Sequence, residues 1–189
     1  MKIYDCFMYF DEEMLLDLRL NILDKYVDKF VISEATYMHN GEPKKLLFDI
    51  NKFSKFKDKI IYIIVDKTPP DIDLVNKYDE EKTISAKTQS NAYKRHIHQL
   101  EETRLGISDA DPNDIIIVSD LDEIPNLEKV DFKKINQKLI FFRQKMFYYK
   151  LNLFYEGLNW YGSKACKKKY FKSPQWIRWI KNKKYPLWR

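Results

Sequence analysis

Ile115-Ile116-Ile117-Val118-Ser119-Asp120-Leu121-Asp122-Glu123-Ile124-Pro125 runs from four apolar residues straight into three acids, and Pro125 then stops the strand. A run of that kind reads as a buried strand whose C-terminal end faces a cleft. Carboxylates gathered there repel one another and cost desolvation. They become favourable when a divalent cation sits among them. Asp120 and Asp122 point to the same side of a continuing strand, so this Asp-x-Asp reads as a Mg²⁺ or Mn²⁺ site bridging to a diphosphate. Ligands bind beyond the carboxyl ends of strands in open α/β sheets, which fits that placement. The bland alternative is a solvated turn.

Working toward the N-terminus, strands and helices alternate. Ile3 to Phe10 reads as a first strand. Asp11, Glu12 and Glu13 suit a helix N-terminus. Leu16, Leu20, Leu23 and Val27 follow at helical spacing, with Leu15 and Ile22 widening the stripe. Phe30-Val31-Ile32 is a second strand ending at Ser33-Glu34-Ala35. Asn40-Gly41-Glu42-Pro43 is a turn, Ile60 to Val65 a third strand, and Thr68 to Glu81 a surface loop. A long helix is predicted over Ile84 to Leu105, with Tyr93, Ile97 and Leu100 as its apolar stripe and Gly106 as its stop. The order implies βαβ units and a largely parallel sheet. After Leu139 the pattern changes: Leu139 to Tyr149 and Leu151 to Tyr155 read as strands of a hairpin around Lys150, and Lys164 to Phe171 as another strand.

The fold expected is α/β, one domain over 1–189, with a mostly parallel central sheet flanked by helices and a smaller antiparallel C-terminal part. It divides into two halves, residues 1–125 and 126–189. Apolar content of 44% and charged content of 33% suit a folded globular chain. With only four glycines, no glycine-rich phosphate loop can be drawn, so phosphates need another holder, and metal-bound carboxylates are one. The net charge of +6 is concentrated in Lys167-Lys168-Lys169 and Lys181 to Lys184. It reads as a solvated basic surface, or as attraction to an anionic substrate or membrane face. Cys6 and Cys166 show no disulfide or zinc spacing. With no signal peptide or membrane span in the pattern, a soluble, cytoplasmic protein is expected, with a peripheral membrane contact through the basic, Trp-rich C-terminus as an alternative.

Other candidate residues are weaker. Glu34 breaks an apolar strand on the rim that Asp120 shares. Asn91, Arg95 and His98 share one helical stripe, where an Arg can pair with a diphosphate. His96 and His98 are two apart and do not make a helical metal pair, and His39 stands alone in a loop. Trp160-Tyr161-Gly162-Ser163 offers a ring for sugar stacking, or simply core. Trp176, Trp179 and Ile180 beside Arg178, Lys181, Lys183 and Lys184 read as a surface helix or as a helix packed on the sheet. The acidic run lacks the Thr or Val that usually follows in aspartyl-nucleophile phosphatases, which argues against a phosphoenzyme.

The blocks Ile3-Tyr4-Asp5-Cys6-Phe7, Leu18-Arg19-Leu20-Asn21, Val27 to Tyr37, His39 to Lys44 and Ser119 to Pro125 occur in order. Together they resemble glycosyltransferase family 17 across roughly Met1 to Gly162. The resemblance implies a GT-A-like, inverting transferase that moves a sugar from a UDP-sugar, with UDP-N-acetylglucosamine the family donor, to a glycan acceptor, with residues 1–125 as the nucleotide-sugar-binding half and 126–189 as the acceptor-side half, for which truncation is an open alternative. It maps the Mn²⁺ or Mg²⁺ motif onto Asp120 and Asp122. It puts donor contacts on Phe7, Glu34, Arg95 and Asp120. An inverting reaction needs a carboxylate base, and Glu123 and Glu34 are both candidates. A late histidine often adds a metal ligand in such enzymes, and none follows His98. A second class stays open: a catalytically weakened, transferase-like module that binds glycan or an anionic surface. Nucleic acid is not expected as a partner, because the lysines lack a reader motif.

Overall fold

The computed structural model describes residues 1–150 and 152–182. Four strands lie parallel: β1 (Ile3–Met8), β2 (Lys29–Ala35), β3 (Ile60–Val65) and β4 (Ile115–Val118). The sheet order is β3-β2-β1-β4-β8-β5, where β8 (Lys164–Lys167) runs antiparallel to β4 and to the short β5 (Ile140–Phe141). Helix α1 (Glu13–Leu23) links β1 to β2, and α2 (Glu81–Glu102) lies between β3 and β4. The chain therefore leaves β1 toward β2 and returns on its other side as β4. That reversal opens a crevice beyond the carboxyl ends of β1 and β4, the usual ligand position in such sheets.

Alternation along the strands feeds two cores. Phe7, Ile115 and Ile117 join Leu16, Leu20 and Leu23 of α1 on one face. Tyr4, Cys6, Ile116 and Val118 pack with Leu100 and Ile177 on the other. Both cysteines are buried free thiols, pushed up by burial.

The predicted strands β1 to β4 fall where the periodicity put them, with small differences at the ends. Several elements differ. Ile22 is exposed, not part of the α1 stripe. In its place the buried stripe includes Arg19. Helix α2 starts at Glu81 and ends at Glu102, passing into a 3₁₀ segment, Thr103–Ile107, that contains Gly106. Of the α2 stripe only Leu100 is buried, Tyr93 is exposed, and Asn91 and Gln99 are buried instead. The cause is polar partners: Asn91 bonds the backbone of Asp73, and Gln99 the carbonyls of Tyr9 and Ser33. The expected strand from Leu139 splits. β5 stays in the main sheet, while β6 (Gln144–Phe147) leaves to pair with β7 (Phe154–Trp160) as a separate ribbon. The start expected at Leu151 lies outside the described residues. Beyond β8 the chain turns through Lys168–Tyr170 into α3 (Pro174–Trp179), capped by the Ser173 hydroxyl.

Arg19 and Asp5 are both fully buried and meet in a two-pronged pair, Nε to Oδ2 at 2.8 Å and Nη2 to Oδ1 at 2.7 Å. The guanidinium also lies 4.5 Å over the ring of Phe7. Removing one partner of such a pair strands a buried charge and costs about 3–5 kcal/mol. Arg19→Leu or Asp5→Leu is expected to lose that much stability in urea unfolding. The double variant is expected to lose less than the sum of the two.

Candidate functional site

Met8, Tyr9 and Phe10 at the end of β1 and Asp120, Leu121 and Asp122 after β4 line a cleft of about 250 Å³ at the strand reversal. Glu12, just before α1, and Leu15 of α1 close it on one side, His39 from the loop after β2, and His96 and Gln99 from α2.

The acidic turn is built around two arginines, Arg19 buried and Arg178 half-buried. Arg19 Nη1 donates to the carbonyls of Asp120, Leu121 and Glu123 at 3.0–3.2 Å, and Nη2 to the Ser119 hydroxyl at 2.5 Å. Its remaining reach is the Asp5 pair, so one side chain fixes the turn's backbone onto β1. Glu123 folds back to accept the Asp120 N–H at 2.9 Å. It also accepts from Trp160 Nε1 at 2.7 Å and from Arg178 Nη1 at 2.5 Å. Arg178 Nη2 bonds Asp120 Oδ2 at 2.5 Å, and Nη1 reaches the carbonyl of Gly162.

Asp120 is thus held by one oxygen only. Its Oδ1 is buried and has no hydrogen-bond partner among the described residues. Burial pushes the carboxyl up to about 6, and Glu123 and Asp122 raise it while Arg178 lowers it. Asp122 is exposed and lines the same cleft. A buried carboxylate oxygen without a donor is costly unless a cation or donor arrives. No three His, Cys, Asp or Glu side chains cluster as a preformed metal cage among the described residues. The donor set present, a buried Oδ1 with a nearby free carboxylate, suits a hard cation that takes one or two carboxylates and completes its shell with phosphate and water.

The other expected site residues lie elsewhere. Glu34 is buried and engaged by the Lys44 ammonium, the backbone N–H groups of Leu47 and Phe48 at 2.8 and 3.0 Å, and the Tyr62 hydroxyl at 2.8 Å. It anchors the loop after β2 and does not line the cleft. Phe7 is fully buried under the Arg19 guanidinium, on the α1 face of the sheet. Arg95 donates to the carbonyl of His39 at 2.9 Å and works one layer behind the cleft, its Nε buried without a partner among the described residues. His98, paired in the sequence stripe with Arg95, faces a separate hollow beside Pro69 and Pro70. Glu123 is 7% exposed and carries three donors, so it braces the turn.

Sequence reasoning missed Arg19, Asp5 and Arg178 as site-builders. The available signal was a charge inside the apolar stripe of α1 and another inside β1. Arg178 lay among residues read as a basic surface. In the fold α3 packs against α2, with Trp179 stacked on Tyr93 and the Gln175 N–H on Glu101. The packed-helix alternative describes it. Lys183 and Lys184 of the same reading lie outside the described residues. Trp160 lines a second hollow of about 860 Å³ with Arg178, Trp179 and Lys164. Burial, and then Arg178, lowers Lys164 to about 8. No described helix is long and apolar enough to cross a membrane.

The family model of Glycosyltransferase family 17 matches residues 1–180. The chain is 29% identical over 125 residues to a beta-1,4-mannosyl-glycoprotein 4-beta-N-acetylglucosaminyltransferase of Homo sapiens, a match covering 64% of this chain and 21% of that protein. The proteins of that name from Rattus norvegicus and Mus musculus match at 29% and 28% over the same shares. The matched stretch is thus about a fifth of the length of these relatives. No solved structure matches.

Asp120 gives a direct check on the charge balance. Its folded value lies above the ordinary 3.8, so the native state binds the extra proton between those values. The group's contribution to stability therefore falls as pH rises from about 4 to about 6. Carboxyl ¹³C NMR of the metal-free protein is expected to show an aspartate titrating near 6. Asp122→Asn should lower that midpoint, and Arg178→Gln should raise it.

Proposed function

The chain belongs to glycosyltransferase family 17, and we propose that it transfers a sugar, N-acetylglucosamine, from a UDP-sugar to a glycan acceptor, using a divalent cation held by Asp120 and Asp122 in a GT-A-type donor site. The observation that carries this reading is the half-satisfied Asp120: one oxygen tied to Arg178, the other buried without a donor beside the free Asp122.

In this reading Asp120 Oδ1 and Asp122 are the protein ligands of Mn²⁺ or Mg²⁺. The ion supplies Lewis-acid neutralisation of the diphosphate as it departs. The protein's own task is positioning. Arg19 fixes the backbone of the turn, and Arg178 clamps Asp120 and Glu123 so that Oδ1 is aimed rather than free to rotate. The bond from the anomeric carbon to the diphosphate oxygen breaks, a bond to the acceptor oxygen forms, and the acceptor's proton passes to a base. A β-linked product, the linkage in the relatives' names, requires inversion when the donor sugar is α-linked. Glu34 and Glu123 carry structural duties in the fold, so this reading assigns the base to neither.

Calorimetry with UDP tests it. Wild type is expected to bind UDP at least about tenfold more tightly with Mn²⁺ than in EDTA, a difference of about 1.4 kcal/mol. Asp122→Asn should erase that gain while leaving the fold intact by circular dichroism, and transfer from UDP-N-acetylglucosamine should fall by about a hundredfold or more. Full activity in Asp122→Ala would refute the metal role. Glycan binding without metal-dependent UDP binding would instead favour the weakened-module reading.

A further inference from the structure

Two imidazoles share the cleft with the acids. His39 comes from the loop after β2 and His96 from α2, and their rings meet edge to face, centroids 5.6 Å apart at 73°. On its other side His96 stacks against Tyr93.

The placement of His39 is built. Its loop closes on itself through Met38 N–H to Glu42 carbonyl at 2.7 Å and Gly41 N–H to Met38 carbonyl at 2.9 Å. Arg95 then pins the loop to α2 through the His39 carbonyl. Gly41 has φ +96°, and a Cβ there would stand 2.6 Å from the Arg95 guanidinium, so glycine permits the clamp. The sequence pattern of Asn40-Gly41 marked the turn but not its docking.

Burial lowers both imidazoles below the ordinary 6.5, with Arg95 adding to the effect on His39, and His39 and Arg178 to that on His96. Each ring is therefore neutral at pH 7 and offers one N–H donor and one acceptor nitrogen. Neither ring makes a side-chain hydrogen bond to the described residues, so these groups are available to a ligand. Met8 and Leu15 supply apolar wall. A planar, uncharged ring with alternating donors and acceptors matches that set: neutral imidazoles for its edge, ring faces and apolar side chains for its plane. The cleft of about 250 Å³ also takes in the acid turn, so only part of it is left to a base, which suits one ring better than the two of a purine.

We propose that His39 and His96 form the nucleobase end of the donor site and select a pyrimidine, uracil, by hydrogen bonding to its edge. The inference rests on the donor-site reading, but its test separates the two. UMP is the probe, in EDTA, with AMP as the comparison, so the acid end contributes no metal. In ¹H–¹⁵N spectra of wild type, the imidazole signals of His39 and His96 should shift on adding UMP. His98, in its separate hollow and the third of three histidines, should not. His96→Ala and His39→Ala are each expected to weaken UMP binding by about tenfold and to narrow its preference over AMP. UDP should weaken by the same factor with or without Mn²⁺, whereas Asp122→Asn removes only the Mn²⁺-dependent part. Unmoved His39 and His96 signals, or wild-type affinity in both variants while Asp122→Asn behaves as expected, would overturn the base-reading pair and leave the transferase reading standing. Absence of UDP binding to wild type in Mn²⁺ would overturn both.

Discussion

The Arg19–Asp5 pair is the constraint from which the site follows. Two fully buried charges are tolerated only when every donor and acceptor is used. Here Arg19 uses its remaining donors on the carbonyls of Asp120, Leu121 and Glu123 and on Ser119. The desolvation cost is thus offset by tying three pieces together: the centre of β1, the middle of α1 and the turn after β4. An apolar residue at 19 would leave three carbonyls of the turn without this donor. The charge in the core is therefore tied to the shape of the rim.

At the rim the balance is deliberately incomplete. Asp120, Asp122 and Glu123 bring three negative charges, and Arg178 returns one. Glu123 is fully employed by Arg178, Trp160 and the Asp120 N–H, which makes it scaffold. Among the described residues Asp120 receives one side-chain donor on Oδ2 and none on Oδ1. A second arginine in that place would satisfy the turn and close the site to a divalent ion. One arginine leaves a net negative charge, the field to which the proposed cation would answer.

Much of this fold is legible in the sequence because it rests on period. Ile60–Val65 and Ile115–Val118 are uninterrupted apolar runs, and Leu16, Leu20 and Leu23 repeat at helical spacing. The acid motif after β4 could be placed on the rim for the same reason. What escaped was everything set by pairing across the chain. Glu34 looked like a rim acid because it breaks β2, but Lys44, Tyr62 and two backbone N–H groups from a loop of no periodicity enclose it. Phe7 belonged to a matching block and proved to be core. His39 looked isolated because its neighbour, His96, is 57 positions away in the numbering. Only the turn at Gly41 and the Arg95 bond to the loop bring the rings together.

That division between charged and uncharged groups has a physical reason within one cleft. A protonated imidazole beside Asp120 would compete with a cation for the same field and repel a second positive charge. Burial, the Arg95 guanidinium against the His39 loop and the mutual contact of the rings all oppose protonation of this pair. Charge is then concentrated at the acid turn, where the proposed diphosphate and its ion would need it. The imidazole side is left to discriminate by hydrogen-bond direction and shape, which carry specificity without adding to the field. Because Arg178 bonds Asp120 while α3 stacks Trp179 on Tyr93, and Tyr93 lies against His96, the last helix touches both parts. A shift of α3 would therefore alter the aim of Asp120 and the seat of His96 together, so in the proposed donor site the two ends would be coupled through how that helix sits on α2.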